Sequence, residues 1–230
     1  SKIREDLVNI DPENYLLAKG PSQRMSAEMI RDNALKVSGL LVPKIGGKSV
    51  YPYQPSGLWD LSDKSWRYRY QHDKNENLYR RSLYTFWKRS APPPSMLIFD
   101  TPNRDLCSVK RTLTSSPLQA LLLLNDPQFI EAARVMAENS ILSKEKSIDK
   151  KLSTLYREII GRTIRDGELE ILLRFYNEEK EKFSKNQSKA IAYLKTGEKP
   201  MNSDIEVVNM AALATVISGM MNTAEAITIN

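Results

Sequence analysis

The sequence predicts a mainly α-helical fold: a multi-helix bundle wrapped by an irregular, Pro- and aromatic-rich segment with at most a few short strands. Three observations carry this. From residue 113 onward apolar side chains recur at spacings of three and four, the period of helices that bury one face. Cap signatures punctuate that stretch, beginning with Ser116-Pro117-Leu118-Gln119, where Ser caps, Pro takes the first helical position and Gln reaches back. Seven of the twelve prolines fall between residues 43 and 102, and ten of the eighteen aromatic residues between Tyr51 and Trp87, where no long helix survives.

Taken in order, 26–41 reads as a helix capped by Ser26, with Met29, Ile30, Ala34, Val37 and Leu41 on one face and Pro43 and Gly46-Gly47 ending it. In 43–112 the best strand candidate is Tyr79 to Trp87, rich in aromatic and β-branched types. The helix opened by Ser116 is apolar on every face through Leu121–Leu124, so it is expected to be buried. Asp126-Pro127 starts a helix to about Asn139 with Phe129, Ala132, Ala133, Met136 and Ala137 inward. Further helices are expected over 148–160, ending at Gly161, and over 166–184 and 187–195, the last ending at Gly197. The final helix runs to about Met221 from a capping box of Ser203 and Glu206. Ile205 to Met221 is the most apolar stretch but barely of spanning length, which predicts a buried helix rather than a membrane span. Two parts follow, 1–112 with one helix and the aromatic, basic segment, and 113–230 with the bundle, together expected to form one compact domain.

The 230 residues carry 34 Lys and Arg against 28 Asp and Glu, a net charge of +6. The excess is local: residues 64–111 hold 11 basic and 4 acidic side chains, net +7, whereas 113–230 hold 15 and 16. A local basic surface fits an anionic partner: nucleic acid, acidic glycan, anionic lipid or a carboxylate-rich protein face. With one cysteine and one histidine, an intrachain disulfide and a His-pair metal site are excluded. The chain starts at Ser1 without an apolar leader segment, which reads as a fragment or a processed form.

Four candidate chemistries can be weighed. Cys107 lies near Lys110 and Arg111, which would favour a thiolate, but free cysteine is ordinarily a buried apolar residue, and burial is the expectation here. Asp73, Asn75 and Asn77 match the start of a calcium loop, yet Leu78 and Tyr84 stand where it needs Gly and Glu. Asp100 and Asp105 form a possible acid–base pair; the preferred reading makes Asp100 the ion-pair partner of Arg81, Arg104 or Arg111, with Arg81 turned inward and Arg80 outward by strand parity. Finally Trp66, Tyr68 and Tyr70 alternate with Arg67 and Arg69, and with Arg80, Arg81, Asp100, Arg104 and Arg111 they make the candidate binding set. Such a set stacks sugars or bases and pairs with sulfate, uronate or phosphate; alternatively it is a satellite core with arginines on the rings. No helix-turn-helix, zinc or ribonucleoprotein motif is present, which disfavours nucleic acid.

The run Tyr79 to Arg89, continuing through Pro92-Pro93-Pro94 to Phe99-Asp100 and then Cys107, Arg111, Thr114 and Pro117 to Pro127, resembles a domain of unknown function found in large secreted proteins of planctomycetes and related bacteria. Asp11 to Asn14, Arg24 to Glu28, Ile30 to Asp32, Val37 to Gly39, Gly46-Gly47, Tyr53 to Pro55 with Gly57 to Trp59, and the late Leu155, Gly161-Arg162 and Glu168-Leu169 fit it too. The helix opening Arg165-Asp166-Gly167-Glu168 departs from the Thr-Pro-Glu-Glu type that the family favours. The resemblance implies an exported setting, periplasmic or cell-surface, and fusion to c-type cytochrome domains. It assigns no catalytic residue. This chain has Cys107-Ser108-Val109-Lys110-Arg111 and not Cys-x-x-Cys-His, so no covalent haem and no other cofactor is expected in it. The expected role is a non-catalytic binding or scaffold module at the C-terminus of a large exported bacterial protein, contacting an anionic polysaccharide or upstream domains. The alternative is part of a glycan-degrading or haem-linked oxidoreductase enzyme whose site upstream domains complete.

Overall fold

Ser26 opens helix α1 (Ala27–Val37), its Oγ accepting from the Met29 amide at 3.3 Å. The computed structural model describes residues 10–17, 20, 23–59, 70–202 and 204–229. Along the chain follow α2 (Pro94–Ile98), α3 (Pro117–Asn125), α4 (Pro127–Leu142), α5 (Ile148–Ile160), α6 (Asp166–Lys185), α7 (Gln187–Leu194) and α8 (Val207–Met221). One antiparallel pair, β1 (Gln23–Arg24) with β2 (Thr228–Ile229), pairs Arg24 with Thr228. The fold is thus mainly helical, as the periodicity predicts.

The caps are those the sequence announces, with two differences. The Ser116 amide donates to Gln119 Oε1 at 3.4 Å, and Asp126 Oδ1 accepts from the Gln128 amide at 2.9 Å to start α4. Gly161 ends α5 at φ 85°, a left-handed position that favours glycine. Helix α8 is capped by Glu206 itself, whose carboxylate accepts from the Asn209 amide; Ser203 lies outside the described residues. Helix α1 stops at Val37, so Leu41 lies beyond its end, Met29 faces solvent, and Leu35 and Arg31 are buried with Ile30 and Ala34.

Helix α4 separates two cores. Ala133, Met136 and Ala137 face a cluster built with Leu152, Leu155, Tyr156 and Ile159 of α5, Tyr176 of α6, Ala190 and Leu194 of α7, and α8. Phe129, Ala132 and Val135 face a second cluster with Ile30, Ala34 and Leu35 of α1, Leu78, Tyr79, Met96, Phe99 and Leu123. The second core joins residues from both parts of the chain.

Two apolar helices meet different fates. Helix α8 is enclosed by α4, α6 and α7 and buried on every face. Helix α3 lies at the edge, packed on one side only: Leu123 is 3% exposed, whereas Leu118 and Leu121 are 54% and 56% exposed and Leu113 and Leu124 also face solvent. The expectation that the Leu121–Leu124 run is buried all round is therefore corrected. Composition without periodicity names no face. Leu123→Ala is expected to cost about 2–5 kcal/mol, the usual penalty for emptying a core leucine site, and Leu121→Ala under about 0.5 kcal/mol. Equal shifts of the two denaturation midpoints would contradict this packing.

Candidate functional site: a clamped loop and the exposed face of α3

The segment 75–84 is not a strand. It forms two 3-10 turns, Asn75–Tyr79 and Ser82–Tyr84, so the alternation of a strand does not apply and Leu78, Tyr79 and Arg80 are buried in succession. The inward and outward arginines are consequently the reverse of the expectation: Arg80 is 3% exposed and the Arg81 side chain 54%. Arg80 stacks over Tyr84, 4.0 Å from the ring centre, and donates to the carbonyls of Lys44, Gly46 and Lys48. Arg81 lies 3.6 Å from Asp32. Beneath them Arg31 donates to the carbonyls of Leu78 and Arg80, to Ser82 Oγ and to Gln128 Oε1. Burial pushes the Arg31 guanidinium down to about 10 against the opposing pull of Asp32 and Asp126.

Trp66 and Tyr68 lie outside the described residues. Tyr70 packs edge-on against Trp59 and Tyr51 at 5.0 and 5.8 Å, its hydroxyl donating to the Pro52 carbonyl. Tyr51 in turn stacks on Phe86 at 5.0 Å, and Lys88 Nζ sits 4.6 Å from the Trp59 ring centre. These rings turn toward one another, with Trp59 itself buried.

Asp100, in left-handed backbone at φ 62°, pairs with Arg24 of β1 at 2.5 Å, not with Arg81, Arg104 or Arg111. Its carboxylate also accepts from the Thr114 amide at 2.9 Å and from Thr114 Oγ1 at 2.8 Å, which closes residues 100–114 into a loop. Arg24 reaches further to the Thr114 carbonyl and to Gln119 Oε1, and Gln119 Nε2 donates to the Ile98 carbonyl at 2.8 Å. Two more clamps hold the loop: Arg104 over the Trp87 ring at 4.5 Å, and Arg111 on both oxygens of Glu28 at 2.7 and 3.1 Å. Arg81, Asp100 and Arg111 thus have three separate partners, Asp32, Arg24 and Glu28.

Between the clamps residues 103–115 are exposed, Leu106 and Val109 included. Cys107 is exposed as well, correcting the expectation that it is buried. Immediately after comes α3 with its outward Leu118, Leu121 and Leu124. A fixed loop carrying Arg104, Lys110 and Arg111 therefore adjoins an apolar helix face.

A polar centre that the sequence reading missed lies elsewhere, under α4. Glu131 is fully buried and accepts from Tyr79 Oη at 2.9 Å, Tyr53 Oη at 3.0 Å and the Lys199 amide at 2.7 Å. Arg134, equally buried, lies 3.9 Å away and donates to the Lys199 carbonyl. Burial, then the Glu131 charge, pushes both phenols up. His72 Nε2 lies 2.9 Å from Glu198 on the rim. The available signal was a Glu and an Arg three apart inside the run Ala132, Ala133, Val135, Met136 and Ala137, where a charge at an inward position needs a partner. A cleft of about 450 Å³ lies between α1, α4 and α5, walled by Lys36, Asn139, Ser140, Lys151, Thr154 and Glu158, and holds none of the candidate residues. Among the described residues no three His, Cys, Asp or Glu side chains come together to hold a metal ion, and no helix is long and apolar enough to cross a membrane.

Fold and surface together define a helical module that presents a clamped loop and a partly apolar helix to its surroundings. The chain belongs to the family PSD1, Protein of unknown function (DUF1553), whose model matches residues 1–176, ending within α6. No curated protein and no solved structure matches the chain.

Two outcomes are expected. Burial raises the Asp100 carboxyl, but the hydrogen bonds from Thr114 and Arg24 outweigh it and hold the group below its ordinary 3.8. A depressed carboxyl stabilises fully above its unfolded value and loses that contribution as pH falls through the folded one. The stability difference between the native chain and Asp100→Asn should be flat from about pH 7 to about pH 5 and shrink below about pH 4; a difference constant to pH 2 would contradict the pairing. Gly197, at φ +99°, leaves no room for a methyl group: a Cβ there would lie 2.4 Å from Glu131 Cδ, which is itself held by its donors. Gly197→Ala is expected to cost at least about 1–3 kcal/mol by overpacking and strain, read as the shift in denaturation midpoint.

Proposed function

We propose that the chain is a non-catalytic binding or scaffold module of an exported bacterial protein, and that its contact surface is the 101–115 loop with the outer face of α3. One observation carries the reading. Leu113, Leu118, Leu121 and Leu124 stand in solvent on and beside a helix whose neighbour Leu123 is buried, and contiguous exposed apolar side chains beside a polar rim are the mark of an interaction surface. The loop is held in place by Asp100 with Arg24 and Thr114, Arg104 with Trp87, and Arg111 with Glu28, so that a partner meets a shaped surface at low ordering cost.

The enzyme alternative draws little from the same residues. Both oxygens of Asp100 and both of Glu131 are already engaged. Tyr51, Trp59, Tyr70 and Phe86 pack on one another, which takes their faces from use as a sugar-stacking platform. The exported setting rests on the family resemblance.

The test uses the apolar anionic dye 1-anilinonaphthalene-8-sulfonate with the full chain. Native protein is expected to enhance its fluorescence saturably, and Leu118→Asp/Leu121→Asp to lose most of the enhancement with a denaturation midpoint within about 0.5 kcal/mol of the native one, as surface substitutions give. Enhancement unchanged in the double variant would overturn the assignment of this face.

A further inference from the structure

We infer, resting on the docking reading above, that the partner of the α3 face is an acidic amphipathic helix of another protein or domain. Leu118, Leu121 and Leu124 follow one another at steps of three, so they form one ridge along α3, roughly 9 Å long at 1.5 Å per residue. A ridge of that kind seats in the groove between side chains four apart on a second helix, the packing of shallow helix crossings. The occupant therefore presents apolar residues at four- and seven-residue spacings.

Charge selects its rim. Helix α3 carries no charged residue, and the adjoining loop carries Arg104, Lys110 and Arg111 against Asp105. Glu28 holds Arg111 from below, yet the Arg111 side chain remains 41% exposed. A helix flanked by glutamates meets this rim favourably. A second copy docking with its α3 parallel to this one would set the two basic loops against each other, so self-association in that arrangement works against its own electrostatics.

The experiment titrates the full chain with two synthetic helical peptides of identical leucine spacing, one flanked by glutamates and one by lysines, followed by fluorescence anisotropy. The glutamate peptide is expected to bind, to weaken as salt rises, and to bind at least about fivefold less to Lys110→Glu and to Leu118→Asp/Leu121→Asp. Circular dichroism of each variant confirms that it is folded. Equal binding of the lysine peptide would overturn the acidic partner while leaving the docking face standing. Failure of both peptides with a monomeric chain overturns the inference, and the dye titration then decides the docking reading separately. Failure of both with a dimer that Leu121→Asp dissociates identifies a second copy as the occupant and overturns it as well.

Discussion

Backbone carbonyls that no helix or sheet satisfies must find donors if the chain carrying them is to be buried, and in this protein guanidinium groups supply them. Arg31 takes the carbonyls of Leu78 and Arg80; Arg80 takes those of Lys44, Gly46 and Lys48; Arg134 takes that of Lys199. The planar fork with five donors suits this task as an ammonium would not. Without it the prolines of 43–102 would leave a stretch that neither pairs nor folds back, because each proline also removes a donor. Leu78 and Tyr79 could not then reach the second core, since their own backbone would enter it uncompensated.

Helix α4 shares this constraint. It is buried from Gln128 through Ala137 save for the half-buried Ile130, with the small Ala132, Ala133 and Ala137 letting neighbours close on both sides. Two sides of it go to the two cores, and Glu131 with Arg134 goes to the loop at 197–199. One helix thereby ties the first part of the chain, through Tyr53 and Tyr79, to the segment before α8. The clamps at Asp100 and Arg111 add the outward loop to this frame through β1 and α1, so the contact surface inherits its order from the interior.

Much of this was legible in the sequence. Periodicity placed the helices from 117 to 221, Gly161 and the Ser116 and Asp126 caps marked their ends, and the inward residues of α5 are those the spacing selects. What failed did so for physical reasons. A run of four leucines has no period, so its burial depended on how many neighbours α3 has. Strand parity inverted Arg80 and Arg81 because these two extended residues are separated from Leu83 and Trp87, whose parity set the phase, by the 3-10 turn Ser82–Tyr84 with three residues per turn. Asp100 met Arg24, 76 residues earlier, because β2 near the end of the chain positions β1; no local pattern encodes such a pairing. Trp66 and Tyr68 lie outside the described residues.

Arg31 holds the irregular segment to the second core, and amide hydrogen exchange of Arg31→Leu measures how firmly. The Val42 amide donates to the Tyr79 carbonyl at 3.0 Å and the Phe86 amide to Val50 at 2.8 Å, both within the segment that Arg31 holds. With the carbonyls of Leu78 and Arg80 stranded, exchange at both amides should accelerate by about 100-fold or more, since removing the buried partner of polar groups costs several kcal/mol at 1.4 kcal/mol per tenfold. Protection within twofold of the native chain would show that the irregular segment is held by packing alone, and would contradict the account.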